Sequence, residues 1–214
     1  MSGIKFGSKH SYDYFGFVLT DMKISAPEVY TKYIEIPGKD GALDLSDAFG
    51  ETKYKMRKAS FEFALVPNTT SIMTRITDFT NHVHGRSVNI TLDEDPDYYY
   101  EARCFVEDYV KRGELVKLSV KADLQPYKLK NEKTVRNETL SSGTTTIICR
   151  VGRMSTIPTI KVKQASDITV NGIIVSGGRT TIMEDLVLKH GSNAIEIKCS
   201  GTTDITIEYQ EGDL

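Results

Sequence analysis

The segment "ITLDEDPDYYYEAR", from Ile90 to Arg103, sets four carboxylates, Asp93, Glu94, Asp95 and Asp97, directly ahead of three consecutive tyrosines. Oxygen-rich clusters of this kind can hold calcium or magnesium, and paired carboxylates can serve as acid and base in glycoside hydrolysis. The spacing supports neither. An EF-hand loop needs ligands at alternate positions, a central glycine and a distant bidentate glutamate, and here Pro96 occupies the middle. Hydrolysis needs one carboxyl of raised pKa and a partner at a set separation across a cleft, which adjacent loop carboxylates do not offer. Aspartate and proline form turns readily. The stretch therefore reads as a connection after the strand "SVNITL", with all four carboxylates facing solvent or a subunit contact rather than a bound ion, and Tyr98 to Tyr100 opening the next strand.

The remaining reactive side chains are equally quiet. Among His10, His82, His84 and His190, only His82 and His84 are close in sequence. Their i, i+2 spacing makes their side chains diverge on a helix, where a metal pair needs i, i+4. They read as polar decoration of a last helical turn. Cys104, Cys149 and Cys199 are far apart and lack a C-x-x-C pair. That pattern predicts free thiols in a reducing compartment, with one bridge plus a leftover thiol as the alternative. Gly38 and Gly41 in "IPGKDGALD" do not have the spacing of a phosphate loop, and no G-x-S-x-G elbow is present. No catalytic, cofactor-binding or metal-ligating residue is assigned, and no cofactor is implied.

Composition narrows the class. The 214 residues carry a formal net charge of -2, with a pI near 6.1, which argues against nucleic acid as a specific ligand. The N-terminus has neither a basic region nor an apolar run of signal-peptide type, and no stretch has the apolar length of a membrane span. A soluble protein made in a cytoplasm is expected.

Period-two alternation predicts a mainly β chain. "ASFEFAL" puts Phe61, Phe63 and Leu65 on one face, "SVNITL" does so with Val88, Ile90 and Leu92, and "LVKLSVKADL" with Leu118, Val120, Ala122 and Leu124. Each is a strand with one buried and one wet face, as in antiparallel sheets. Between them, Ile72, Ile76, Phe79 and Val83 form a helical stripe. The spacing predicts one helix over about 69–84, capped by Asn68, Thr69 or Thr70 and ended by Gly85, with Arg75 and Asp78 on the wet side. Pro126 stops the long strand, and a polar stretch, "NEKTVRNETLSSGTTT", reads as the boundary region. Beyond it, "TIKVKQ", "DITVNGIIVSGG", "LVLKHGSNAIEIKCSG" and "TDITIEYQ" alternate again, with turns at Asn171-Gly172, Gly177-Gly178 and Gly191 to Asn193, as in a small sandwich or jelly roll. Two domains follow, 1–129 and 130–214.

The order of these pieces carries more than any one of them. "YIEIPGKDGALDLSDAFG", the Tyr54 and Arg57 pair before an alternating strand, the helix ending in "HGR", "LDEDPDYYYEAR", and the strand closing in "ADLQPYK" follow one another. This succession resembles the N-terminal domain of the distal tail (Dit) proteins of siphophages, and the C-terminal "SNAIEIKCSGTTDITIEYQ" is similar to the sandwich endings of that family. Such proteins often carry a tryptophan near the helix. This chain has none, which leaves the space to Ile72 and Phe79.

The resemblance implies a tail-tube-like N-terminal β-barrel or sandwich with one helix, then a galectin-like or carbohydrate-binding-module-like sandwich. It implies a structural virion protein of the tail tip rather than an enzyme: a homo-oligomer, a six-membered ring, joining the tail tube to tail-tip, baseplate and adhesion proteins. DNA would pass its channel without specific binding, and the C-terminal domain would make at most a weak carbohydrate contact. The alternatives are a sugar-binding adhesion protein, a tail-tube subunit with a decorating domain and, last, an acid-cluster hydrolase. Against sugar recognition, residues 131–214 contain a single aromatic side chain, Tyr209, and sugars usually stack on aromatic rings.

Overall fold

The computed structural model describes residues 3–48, 50–66, 71–113, 115–163 and 168–214. It divides into two compact units, Met1–Pro126 and Tyr127–Leu214.

In the first unit the strands are β1 (Ile4–Phe6), β2 (Lys9–His10), β3 (Phe17–Ile24), β4 (Tyr33–Glu35), β5 (Ala42–Asp44) and β6 (Arg57–Leu65). After the helix α1 (Ile72–Val83) come β7 (Ser87–Leu92), β8 (Asp95–Arg112) and β9 (Leu115–Leu124). Seven of these strands form an antiparallel sheet in the order β2-β1-β7-β8-β9-β6-β3. The sheet is open, so the barrel form of the N-terminal expectation does not hold: along the described path β2 and β3 are ends and do not pair with each other.

The alternation expected for β6, β7 and β9 places Phe61, Phe63, Leu65, Ile90, Leu92, Leu118, Val120, Ala122 and Leu124 in one core. The helix lies over it. Phe79 is fully buried, with its ring centroid 5.0–5.8 Å from those of Phe6, Phe15, Phe17 and Phe63. Edge and tilted contacts of this kind add to the area that each ring buries. Phe79, with half-buried Ile72 beside the core, thus occupies the space assigned above to a tryptophan.

Arg75 departs from expectation. The stripe places it on the wet side, yet it is only 5% exposed. Its Nε donates to the Phe15 carbonyl at 2.8 Å and its Nη1 to the Val66 carbonyl at 2.7 Å. Two turn carbonyls thereby gain a donor, and burial lowers the guanidinium pKa. The path is open because residue 16 is glycine: a Cβ there would lie 1.5 Å from Nη2, and φ is +72°. At the helix start, the cap assigned to Asn68, Thr69 or Thr70 lies outside the described residues. Ser71 stands at the N-cap without a side-chain cap bond, and Gly85 follows the other end with φ +72°.

The second unit contains β10 (Lys128–Lys130), β11 (Thr134–Leu140), β12 (Gly143–Val151), β13 (Thr159–Val162) and β14 (Ile168–Val170). They are followed by β15 (Ile173–Val175), β16 (Thr180–Ile182), β17 (Gly191–Cys199), β18 (Thr203–Tyr209) and β19 (Gly212–Asp213). Two four-stranded sheets, β11-β18-β13-β16 and β12-β17-β14-β15, bury a common core that includes Cys149, Ile160, Val162, Ile195, Ile197, Ile205 and Ile207. Asn171-Gly172 turns β14 into β15 with φ +45° and +86°, the left-handed pair that a two-residue hairpin requires.

Two sequence expectations fail in this unit. The polar stretch read as boundary is mostly strand, because β11 and β12 are sheet edges and most of β11 and the first half of β12 face water. "LVLK" is not a strand; Leu188 makes one bridge, to Thr156, and Gly191 to Asn193 already open β17. Asn193 instead closes the preceding turn, exchanging side-chain hydrogen bonds with the Lys189 backbone. The first and last strands of the unit pair with each other: β10 meets β19, and Glu211 accepts from Lys130 at 2.9 Å and from the Thr134 hydroxyl.

Replacing Phe79 with alanine is expected to cost about 3–5 kcal/mol of stability. Urea denaturation of the two proteins, compared through their midpoints, measures it.

Candidate functional site

The acidic segment resolves into separate tasks. Leu92 pairs with Asp95, so the turn is only Asp93 and Glu94, and β8 begins at Asp95 rather than among the tyrosines. The larger loop expected there is absorbed as a register shift between Ile90 and Leu92, where β8 carries the extra residues. Asp93 is not simply in solvent. Its Oδ2 accepts the Gly3 amide at 2.7 Å, and both its oxygens lie 3.1–3.2 Å from His10 Nε2. His10 Nδ1 lies 3.3 Å from the Tyr12 and Asp13 amide nitrogens and 3.3 Å from Asp13 Oδ2, so the ring bridges the Tyr12-Asp13 turn and Asp93. A Cβ at Gly3 would meet the His10 ring at 2.4 Å, so this latch on β1 depends on the glycine.

The tyrosines and the upstream arginine, quoted from different stretches of the sequence, meet in the fold. Arg57 is buried, with its guanidinium carbon 5.5 Å from the Tyr100 ring centroid. Its Nε donates to the Ser25 carbonyl at 2.9 Å. This is a cation over an aromatic face that ties β6 to β8, a structural role for both residues.

Histidines 82 and 84 likewise hold backbone. His82 Nε2 donates to the Phe6 carbonyl at 2.8 Å, and His84 Nδ1 accepts the Val106 amide at 3.1 Å. The three cysteines are free and buried. Burial pushes the Cys104 thiol up to about 12 from 9.0, away from nucleophilic use. Among the described residues no group of three or more histidine, cysteine or acidic side chains is arranged to hold a metal. No helix of the described residues is long and apolar enough to cross a membrane.

A polar surface is formed by the face of β8-β9-β6-β3 opposite the core. Pairing aligns Lys23, Lys58, Arg103, Lys117 and Lys121 on it with Asp21, Glu62, Asp108 and Asp123, and Glu107 adds a fifth carboxylate at a bulge in β8. Lys58 Nζ lies 2.6 Å from Asp123, and Lys121 Nζ lies 2.5 Å from Glu107. Between them is a shallow trough of about 650 Å³ lined by Lys23, Lys58, Ser60, Phe105, Lys121 and Asp123. Cations and carboxylates answer each other across this face, and the Ser119 hydroxyl donates to Glu62 at 3.1 Å. Sequence reading named the alternating residues of β6 and β9 but not the mutual pairing, which only strand register reveals.

In the second unit Tyr209 is 2% exposed and its Oη donates to the Arg150 carbonyl at 2.8 Å. The single aromatic of residues 131–214 is therefore a core residue, not a stacking platform.

No family model and no curated protein matches the sequence. The fold does find a counterpart. The crystal structure of phage SPP1 Dit (gp 19.1), described as a paradigm of the hub adsorption apparatus in phages infecting Gram-positive bacteria, aligns with a TM-score of 0.69 over 100% of both chains at 15% identity. The chain has the Dit fold. The mainly β architecture and the Dit resemblance drawn from motif order are thereby met at the level of fold. The match also runs through the second unit, where the sequence resemblance is looser.

Asp93→Ala is expected to release β1, raising amide exchange at Gly3 and Ile4 and costing about 1 kcal/mol, since the buried Gly3 amide loses its exposed acceptor. Hydrogen-exchange mass spectrometry reads it. For Cys104 the sign is opposite to that of a paired carboxylate: the unfolded thiol ionises first, so stability falls as pH rises from 9.0 to about 12. Thermal melts across that range test it, with Cys104→Ala flattening the loss.

Proposed function

We propose that this protein is a structural component of a phage tail tip, a Dit-like hub that joins the tail tube to the tail-tip, baseplate and host-adhesion proteins. It acts as a closed ring of about six copies built on heterologous contacts and catalyses no reaction. The observation that carries the reading is the full-length likeness to a phage hub protein, at 100% coverage of both chains. The chemistry of the surface agrees with it. The polar face of β8-β9-β6-β3 carries both signs of charge, with Lys58 paired to Asp123 and Lys121 to Glu107, and a wall of mixed charge does not trap passing DNA as a basic one would. In this reading the first unit forms the ring, the second docks neighbouring tail proteins, and the protein resides at the tip of the virion tail after synthesis in the host cytoplasm.

Negative-stain microscopy with light-scattering mass on the purified protein is expected to show closed rings of about six copies. Monomers at every accessible concentration, with no ring on adding tail-tube protein, overturn the reading. Titration with labelled duplex DNA at physiological salt is expected to give no saturable binding.

A further inference from the structure

The pairing of β3 with β6 does not stop at the sheet. It continues outward as a ribbon, with Ser25 N donating to Lys58 O at 2.9 Å, Lys55 N to Glu28 O at 2.7 Å and Tyr30 N to Lys53 O at 2.9 Å. Beyond a loop in the returning strand, Leu45 N donates to Lys32 O at 2.8 Å, and β4 and β5 then pair up to a tip turned by Gly38 and Gly41, at φ +81° and +78°. Every residue of β4 and β5 is exposed. Ile34 and Leu43, directly opposed across the ribbon, share one face and are 43% and 44% exposed, while Tyr33, the preceding residue of β4, is 59% exposed on the other face. A lone two-stranded hairpin is marginal in water, and a contiguous exposed apolar patch marks an interaction surface.

The same unit carries a second, different surface of the same kind. β8 runs to Arg112, well past its last pairing with β7 at Arg103. The far end of the β8-β9 hairpin exposes Val110 and Leu115 on one face, at 48% and 53%, and Tyr109 on the other, at 44%. The charges around the two patches are opposite. From Tyr33 to Asp44, Glu35, Asp40 and Asp44 stand against Lys39, three negative to one positive, a net of -2. The sequence from Tyr109 to Lys117 holds three positive residues, Lys111, Arg112 and Lys117, and one negative, a net of +2.

We propose that the ribbon of one copy seats Ile34 and Leu43 on Val110 and Leu115, at the end of the β8-β9 hairpin of the next copy. Because the two surfaces differ, the contact is head-to-tail, and such contacts either close into a ring or run on as a filament. The inference rests on the ring reading above and names the element that closes the ring. Complementary charge around an apolar centre sets the register and disfavours ribbon-to-ribbon contact.

Full-length Leu43→Cys and Val110→Cys variants, mixed and oxidised, are expected to form a disulfide-linked dimer that neither forms alone. Lys111→Glu with Arg112→Glu is expected to weaken assembly at least about tenfold, and Glu35→Lys with Asp44→Lys in the same chain to restore it. A wild type that forms closed rings, yet gives no mixed cross-link and keeps its rings when residues 34–43 are replaced by a short turn, overturns this contact and leaves the ring reading standing. A wild type that stays monomeric by light scattering, with or without tail-tube protein, overturns both.

Discussion

The burial of one face of the β8-β9-β6-β3 sheet under α1 is the constraint on which the first unit depends. A pleated strand sends successive side chains to opposite faces. Once Phe61, Phe63, Leu118 and Val120 are fixed beneath Phe79, their neighbours have no choice of side. Lys58, Lys117, Lys121 and Asp123 are delivered together to the opposite face, where register sets cation against carboxylate. A slip of one residue would exchange the two faces entirely. The outer surface is therefore as strictly determined as the core.

The polar groups that sequence alone offers as chemistry serve this architecture instead. Asp93 and His10 latch β1, Arg57 lies over Tyr100, Arg75 holds two turn carbonyls, and His82 and His84 bind backbone at the helix end. Each bonds a group that would otherwise be short of a partner, at the joints where the chain leaves one regular element for the next. Surface ion pairs such as Lys58 with Asp123 contribute little to stability, about 0–1 kcal/mol each. Their effect is on the field that the face presents rather than on the fold.

What could be read in advance followed burial. β6, β7 and β9 have one wet and one buried side, so their alternation is visible in the residue types, and the helical stripe of Ile72, Ile76, Phe79 and Val83 is visible for the same reason. β4, β5 and most of β11 are exposed on both sides and leave no such mark. Arg75 was misplaced because a period assigns direction to a Cβ and not to the end of a long side chain, which here turns inward to carbonyls distant in sequence. The pairings of Arg57 with Tyr100 and of Asp93 with His10 join residues 43 and 83 positions apart. Nothing local encodes such a meeting.

The stitching of β10 to β19 has a consequence for how such a chain can change over time. Entry and exit of the second unit lie side by side, sealed by the Glu211 carboxylate on Lys130 and Thr134. A module whose two ends coincide can be exchanged as a cassette without rethreading its host. Recombination at that seam exchanges the whole second unit in a single event.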